Sequence, residues 1–272
     1  MANMLSAQKN KLPFTKMNAA QNDFIIFDAR TRQINLSQLE IVQISQRKNI
    51  GCDQLIIIKN SDKADCLMEI YNQDGSRAGA CGNATRCVAG LLMEEKNLES
   101  LKIETAAGVL DCWFVDILAA KKQISVAMTT PKFLPNFIFA ERGIEFFCVD
   151  MGNPHAVVFV DSIPSDADFF SIGPKVENHK FFPNKTNVEF AKIISPEIIE
   201  VRVFERGAGE TLACGSGACA VAAAAIKNKL TAGKKIITRF KGGDITIEWP
   251  DDSAPIIMTG DYNKIFIGEV FV

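Results

Sequence analysis

Histidine is nearly missing from this sequence: His155 and His179 are the only two in 272 residues. None of the eight cysteines forms a CxxC pair with another. These two shortages argue against a structural zinc site, which draws its ligands from clustered Cys and His. No apolar run approaches the ~20 residues that cross a bilayer as a helix. The opening stretch MANMLSAQKNKLPFTK contains no continuous apolar segment, so no signal peptide is read in it, and residues 1–10 read as a polar, disordered extension. An excess of one charge is missing as well. The 30 Lys and Arg against 32 Asp and Glu leave a net charge of −2, which excludes the basic footprint of a nucleic-acid binder. In the absence of a secretion signal the cysteines do not read as a disulfide scaffold, and most are expected as small buried hydrophobes.

What is present is ordinary globular material, 47% hydrophobic and 23% charged, long enough for two domains of about 100–150 residues. The chain also repeats itself. Residues 80–89 read ACGNATRCVA and residues 213–222 read ACGSGACAVA, with Cys81 and Cys214 at one offset. The flanks keep that offset: Tyr71-Asn72 stands to the first motif as Phe204-Glu205 stands to the second, and Gln54 to the first as Asn187 to the second. Asn22 and Asn153 fall two residues short of it. Repeated strand–turn–helix patterning alone does not require polar residues to recur at matched positions. Four such pairs therefore favour a shared site over mere repetition.

Periodicity gives the local structure. FIIFDA, LIIIKN, CLMEIYN, LDCWFVDI and QISVAM read as strands in the first half, and VVFVD, NVEFAKII, IIEVRVFE, KKIITRF and ITIEW in the second. Helices are expected over LSQLEIVQISQRK, with Ser37 as cap and Leu36, Leu39, Val42 and Ile44 at helical spacing. Two more are expected over ATRCVAGLLMEEK, with Cys87, Val88, Leu91 and Leu92 on one face, and over the alanine-rich ACAVAAAAIKNK. Many strands and one long helix per half predict an α/β (α+β) fold of two similar domains, residues 11–130 and 131–272. The boundary falls in the proline-containing TTPKFLPN, and the last strand, about 264–272, is free to return to the first domain.

Each repeated motif sets a cysteine at the start of a predicted helix, followed by Gly82-Asn83 or Gly215-Ser216. First-turn N–H groups lack intrahelical partners, and with the helix dipole they attract an anion such as a carboxylate. The same field lowers a cysteine pKa. Two such ends facing each other would hold one carboxylate and place a sulfur on either face of the neighbouring carbon. That geometry suits a two-base stereoinversion, one thiolate removing the α-proton while the opposite thiol returns one. A single cysteine of this kind reads as a buried cap. Two related by a repeat read as function.

At these residues the sequence resembles the diaminopimelate epimerases, through QNDF (21–24), NQDGSRAGACGNATR (72–86), MGNPHAV (151–157), NVEF (187–190) and ERGAGETLACGSGACA (205–220), five motifs in order along nearly the whole chain. The resemblance implies two pseudo-symmetric domains, each wrapping a mixed, mostly antiparallel sheet around a central helix, with the site between them. It implies a cytoplasmic isomerase of lysine and peptidoglycan biosynthesis that takes LL-2,6-diaminopimelate to the meso form without pyridoxal phosphate or metal. It leaves room for a homodimer, but not for a nucleic-acid or membrane partner. Cys81 and Cys214 match the acid–base pair, with His155 and Glu205 modulating them. Asn22, Gln54, Asn72, Gly82, Asn83, Asn153, Asn187, Glu205, Arg206, Gly215 and Ser216 match substrate contacts. Arg206 suits a bidentate carboxylate clamp and Glu205 suits an ammonium. The chain departs from the family pattern at Gln21, where Gly is usual, and at Arg77, Ala80 and Ala84. The nearest alternative is a proline or hydroxyproline racemase-type two-cysteine enzyme. Such an enzyme needs no anchor for a second amino-acid end, and the ERG, GNPH and NVEF motifs argue against it. A phenazine-biosynthesis-type isomerase would lack the cysteine pair, and a binding module or thiol redox sensor would need no matched acid and base.

Overall fold

The structure is a computed structural model describing residues 11–115 and 122–272. The extension expected over residues 1–10 lies outside the described residues, as does the end of the strand expected over LDCWFVDI. In the first half β1 (Lys11–Ala19), β2 (Asn22–Asp28), α1 (Gln38–Ser45), β3 (Gln54–Lys59), β4 (Cys66–Asn72) and β5 (Arg77–Ala78) lead into the long helix α2 (Gly82–Lys96), followed by β6 (Ser100–Thr105), β7 (Gly108–Val115) and β8 (Gln123–Ala127). In the second half β9 (Lys132–Phe133), β10 (Phe137–Phe139), β11 (Ile144–Asp150), β12 (Pro154–Phe159), α3 (Asp166–Glu177), β13 (Asn187–Ser195), β14 (Ile198–Glu205) and β15 (Gly209–Thr211) lead into α4 (Gly215–Lys227), followed by β16 (Lys235–Phe240), β17 (Gly243–Glu248), β18 (Ile257–Asp261) and β19 (Asn263–Phe271).

The two halves share a pairing scheme at residue level. β2 runs parallel to β3 with Phe24 opposite Gln54, and β12 runs parallel to β13 with His155 opposite Asn187. β3 and β13 then pair antiparallel with β4 and β14, Leu55 facing Tyr71 and Val188 facing Phe204. After each central helix a hairpin turns at a glycine with positive φ, Gly108 at 137° and Gly243 at 141°, a conformation closed to most side chains. Two ladders cross between the halves: β18 pairs with β8, and β19 pairs with β1.

Each central helix is wrapped by sheet. Ala218 through Ala225 on α4 are all fully buried, so the alanine run reflects the lack of room for larger side chains as well as helix propensity. On α2 every residue from Gly82 to Gly90 is buried, a wider contact than the single face expected. α1 begins where predicted, at a capping box between Ser37 and Glu40. Its buried face is Ile41 and Ile44, however, and Leu39 is exposed, because a helix of only eight residues meets the sheet through one narrow stripe. α3 is not among the helices expected from the sequence; it is capped by Ser165, buried through Phe169, Ile172 and Val176, and carries Pro174 near its end.

The departure at Gln21 has a local cost. Ala20 and Gln21 form the two-residue turn between β1 and β2 with φ of 49° and 61°, the left-handed pair of a type I′ turn. Ala84 and Arg77 sit without conflict: Ala84 is wholly buried in the first turn of α2, and Arg77 lies on an exposed edge against Glu69 and the Tyr71 ring.

Candidate active site

Both motif cysteines are helix N-caps. Cys81 (φ −151°, ψ 108°) caps α2 and its Sγ accepts the Ala84 N–H at 3.5 Å. Cys214 (φ −126°, ψ 116°) caps α4 and its Sγ accepts the Gly217 N–H at 3.4 Å. The two helix starts abut. A Cβ placed on Gly215 would lie 3.5 Å from the Gly82 Cα and 3.1 Å from Met258 Sδ, while one on Gly82 would meet Met258 Cε at 2.5 Å. A side chain at either position would have to displace the end of the Met258 side chain, which packs across the junction. Cys214 is buried and Cys81 half-buried.

Polar side chains gather around each sulfur. On the Cys81 side Asn22 Oδ1 lies 3.8 Å from Sγ and accepts from Asn83 Nδ2 at 3.4 Å, while Asn22 Nδ2 donates to Asp53 Oδ2 at 2.9 Å. Arg47 donates to both Asp23 and Asp53 behind that contact. Gln54 Nε2 donates to Asn72 Oδ1 at 3.0 Å, and the buried Gln54 Oε1 has no protein partner. Asn83 Oδ1 accepts from Arg86 at 2.9 Å, and Arg86 is wholly buried. On the Cys214 side Ser216 Oγ lies 3.6 Å from Sγ and accepts from Asn153 Nδ2 at 3.4 Å. His155 is held from both ring nitrogens, Nε2 lying 3.1 Å from Asn153 Oδ1 and Nδ1 lying 2.6 Å from Glu189 Oε1. Glu205 receives the Thr211 hydroxyl.

Arg206 stands apart from the sulfurs, on the rim of an open cleft of about 380 Å³ that Asn153, Pro154, Phe181, Asn184 and Lys185 also line. Its guanidinium donates to Asn184 O at 3.2 Å, and among the described residues no carboxylate pairs with it. The Asn187 amide donates to Pro154 O and accepts the Arg206 N–H at 3.0 Å, so it holds the Arg206 turn in place. Asn153 is the residue common to the Cys214 cluster and the cleft.

The electrostatics differ from the sequence expectation. Helix starts were expected to lower both thiols, but burial outweighs them. Desolvation pushes Cys81 up to about 11, against the smaller pull of the Ala84 N–H. Cys214 is pushed well above the ordinary range, first by burial and then by the Glu205 and Glu189 carboxylates. Burial also raises Glu205, against the hydrogen bond from Thr211. The site thus holds both sulfurs as thiols when empty, and the thiolate form needs help from substrate or a neighbouring base.

Three residues beside the site were not singled out in the sequence: Glu189, Asp53 and Arg86. Each lies inside or next to a motif that was, in NVEF, beside Gln54 and in CGNATR, but only the structure shows their contacts. Among the described residues no group of three or more His, Cys, Asp or Glu side chains is arranged to hold a metal ion. No described helix is long and apolar enough to cross a membrane.

Two N-cap thiols at abutting helix starts, on two pseudo-symmetric sheet-wrapped halves, stand in a chain whose relatives place it among the isomerases of the epimerase class. A family model, Diaminopimelate epimerase, matches residues 14–134 and 147–265. The chain belongs to the diaminopimelate epimerase family. A relative in Acidiphilium cryptum named diaminopimelate epimerase is 40% identical over 269 residues, covering 95% of this chain and 96% of its own. One in Bacteroides thetaiotaomicron with the same name is 40% identical, covering 96% and 98%. Among solved structures, a hydroxyproline epimerase from Agrobacterium vitis superposes with a TM-score of 0.75 at 13% identity, covering 97% of this chain and 94% of its own. A Bacillus anthracis phenazine biosynthesis protein of the PhzF family superposes with 0.70 at 17%, covering 97% and 100%. At those identities the likeness is one of fold.

Proposed function

We propose that the chain interconverts LL- and meso-2,6-diaminopimelate by inverting one α-carbon between Cys81 and Cys214, with no cofactor. The observation that carries this reading is the pair of thiols capping two abutting helices. One thiolate removes the α-proton. The electron pair left on carbon delocalises into the α-carboxylate, which the first-turn N–H groups of α2 and α4 stabilise. The opposite thiol then delivers its proton to the other face, and the two sulfurs exchange roles in the reverse direction. Glu205, hydrogen-bonded near Cys214 and raised by burial, suits a proton reservoir for that sulfur.

Diaminopimelate has a second amino-acid end, and the cleft rimmed by Arg206 and Lys185 suits its carboxylate. A proline-sized substrate would leave that cleft unused, which disfavours the racemase alternative. All eight cysteines are free, in keeping with a reducing cytoplasm. The exposed Ile265, Phe266, Ile267 and Phe271 of β19 suit the contact of a homodimer.

The decisive assay follows each stereoisomer of diaminopimelate in heavy water. The wild type should invert it with uptake of one deuteron at the α-carbon. Cys81→Ser and Cys214→Ser should each lose about 100-fold or more of turnover, the usual loss when a general acid or base is removed. Near-normal inversion by either variant would eliminate the two-base reading.

A further inference from the structure

Arg86 stands one turn into α2 and is wholly buried, yet among the described residues no carboxylate pairs with it. Its guanidinium donates from Nε to Asp261 O at 3.1 Å, from Nη1 to Met258 Sδ at 3.4 Å and from Nη2 to Asn83 Oδ1 at 2.9 Å. The Asp261 carboxylate turns instead to the Ala20 N–H at 3.3 Å. These contacts put the charge directly behind both helix starts. Met258 is the side chain packed across Gly82 and Gly215, and Asn83 Oδ1 lies 3.6 Å from a Cβ placed on Gly215.

That is an unfavourable place for a cation. A buried charge without an ion partner carries a desolvation cost, and burial pulls the Arg86 guanidinium below its usual pKa. Helix N-termini disfavour cations as they favour anions, and two helices start here. The shared architecture does not call for the charge. At the offset that relates Cys81 to Cys214, the match of Arg86 is Cys219, a small side chain that is equally buried. β18 has made room for the guanidinium, since a Cβ on Gly260 would come within 3.0 Å of Arg86 Cζ and Nε. An anion held at the two helix starts offsets both the burial and the dipole cost.

Arg86 also fixes an amide. A guanidinium has five donors and no acceptor, so the Asn83 atom 2.9 Å from it is the carbonyl oxygen. The Asn83 NH2 is thereby turned the other way, towards Asn22 Oδ1 at 3.4 Å on the Cys81 side. We propose that Arg86 is a positioning residue for the reacting carboxylate: it sets the Asn83 NH2 towards the Cys81 side of the junction and holds a fixed positive charge behind both helix starts. That charge favours a carboxylate there, and favours further the negative charge the carboxylate takes up when the α-proton leaves. This rests on reading the two helix starts as the carboxylate site.

The test compares two alkylating reagents on the substrate-free full chain: iodoacetate, which carries a carboxylate, and iodoacetamide, which does not. Peptide-level mass spectrometry reads the rate at Cys81. The ratio of the two rates cancels the thiolate fraction and the access to the sulfur, which act on both reagents alike. In the wild type the ratio should exceed that of an unstructured cysteine peptide about 30-fold, and Arg86→Met, similar in length but uncharged, should lower it about tenfold. Arg86→Lys keeps the charge and a donor for Asn83, and should stay within about threefold of the wild-type ratio. For diaminopimelate, kcat/KM should fall about 100-fold in Arg86→Met, through kcat as well as KM, and recover to within about tenfold of wild type in Arg86→Lys. A wild-type ratio no higher than the peptide's, equal ratios in the wild type and Arg86→Met, or an Arg86→Lys ratio as low as that of Arg86→Met would each overturn the proposal. A purely structural arginine would change the two reagent rates together. Should Arg86→Met not fold, Arg86→Gln replaces it, uncharged but able to donate to Asn83 Oδ1. A ratio that falls in Arg86→Met in a chain that leaves diaminopimelate untouched would remove the substrate reading and uphold the role of Arg86. Turnover alongside an unchanged ratio would do the reverse.

Discussion

Alkylation of the empty enzyme with iodoacetamide puts numbers on the contest between helix field and burial at Cys81. With its pKa pushed up from 9.0 to about 11, Cys81 has about 100-fold less thiolate at neutral pH than an ordinary cysteine. A more basic thiolate is intrinsically more nucleophilic, by about eightfold over two pKa units at a Brønsted slope of about 0.45. The net expectation is alkylation roughly tenfold slower than that of an unstructured cysteine peptide. The rate should climb about tenfold per pH unit from 7 to 10, with no plateau in that range. Peptide-level mass spectrometry separates Cys81 from Cys214, which should react more slowly still because it is buried and carries the Glu205 and Glu189 charges. Glu205→Gln removes a charge that raises both thiols, so both rates should increase. A plateau in the Cys81 profile near pH 7 to 8, or a rate above that of the free peptide, would mean that the helix start dominates after all. The account of a thiol resting state would then be wrong.

Three further outcomes are expected. Gln21→Gly relieves a left-handed non-glycine residue at a cost in unfolded-chain entropy, for a net gain of about 0.5–1 kcal/mol and a melting temperature about 1–4 °C higher; a lower melting temperature would show that the turn carries no strain. Arg206→Lys keeps the charge but loses the fork, so KM for diaminopimelate should rise about tenfold or more, and an unchanged KM would remove Arg206 as the distal clamp. In air the substrate-free enzyme should lose activity through a Cys81–Cys214 disulfide, reversibly with a thiol reductant and slowed by substrate; non-reduced peptide mapping that finds Cys52, Cys66, Cys112 or Cys148 linked instead would mean the two capping sulfurs do not face each other.

Much of the architecture could be read from the chain because it is written twice. The matched offsets of Cys81 with Cys214, Gln54 with Asn187 and Asn72 with Glu205 correspond to matched ladder registers, so a repeat in sequence became a repeat in hydrogen bonding. What escaped has local reasons. α3 contains Gly173-Pro174, residues whose helix-breaking tendency is overridden by their place in its last turns. The α1 face depends on where eight residues meet a sheet, which the apolar spacing of LSQLEIVQIS leaves ambiguous. The sign of the thiol shifts depends on how completely the two helix starts are covered, a property of the assembled fold. Glu189 and Asp53 sit in plain view within or beside the motifs, yet a carboxylate in a strand or just before one gives no sign that its partner is a histidine 34 residues earlier or an asparagine 31 residues earlier.

The β1–β19 ladder bears on how the molecule is made. Lys11 lies opposite Phe271 and Asn18 opposite Asn263, so β1 is bordered on one side by a strand made roughly 250 residues later. β2 follows at once and covers the other side of β1. At about 5–20 residues per second, roughly 250 further residues take some 12–50 s to synthesise. Through that interval the nascent first domain carries an open strand edge, with Phe14 lacking its Phe266 neighbour. An unpaired edge is a template for wrong partners. The order of synthesis therefore leaves this edge open until β19 arrives, and ribosomes queued on one message would bring several such edges within reach of each other. Loss of the last nine residues would make this passing exposure permanent, with aggregation as the consequence even though both cysteine motifs remain intact.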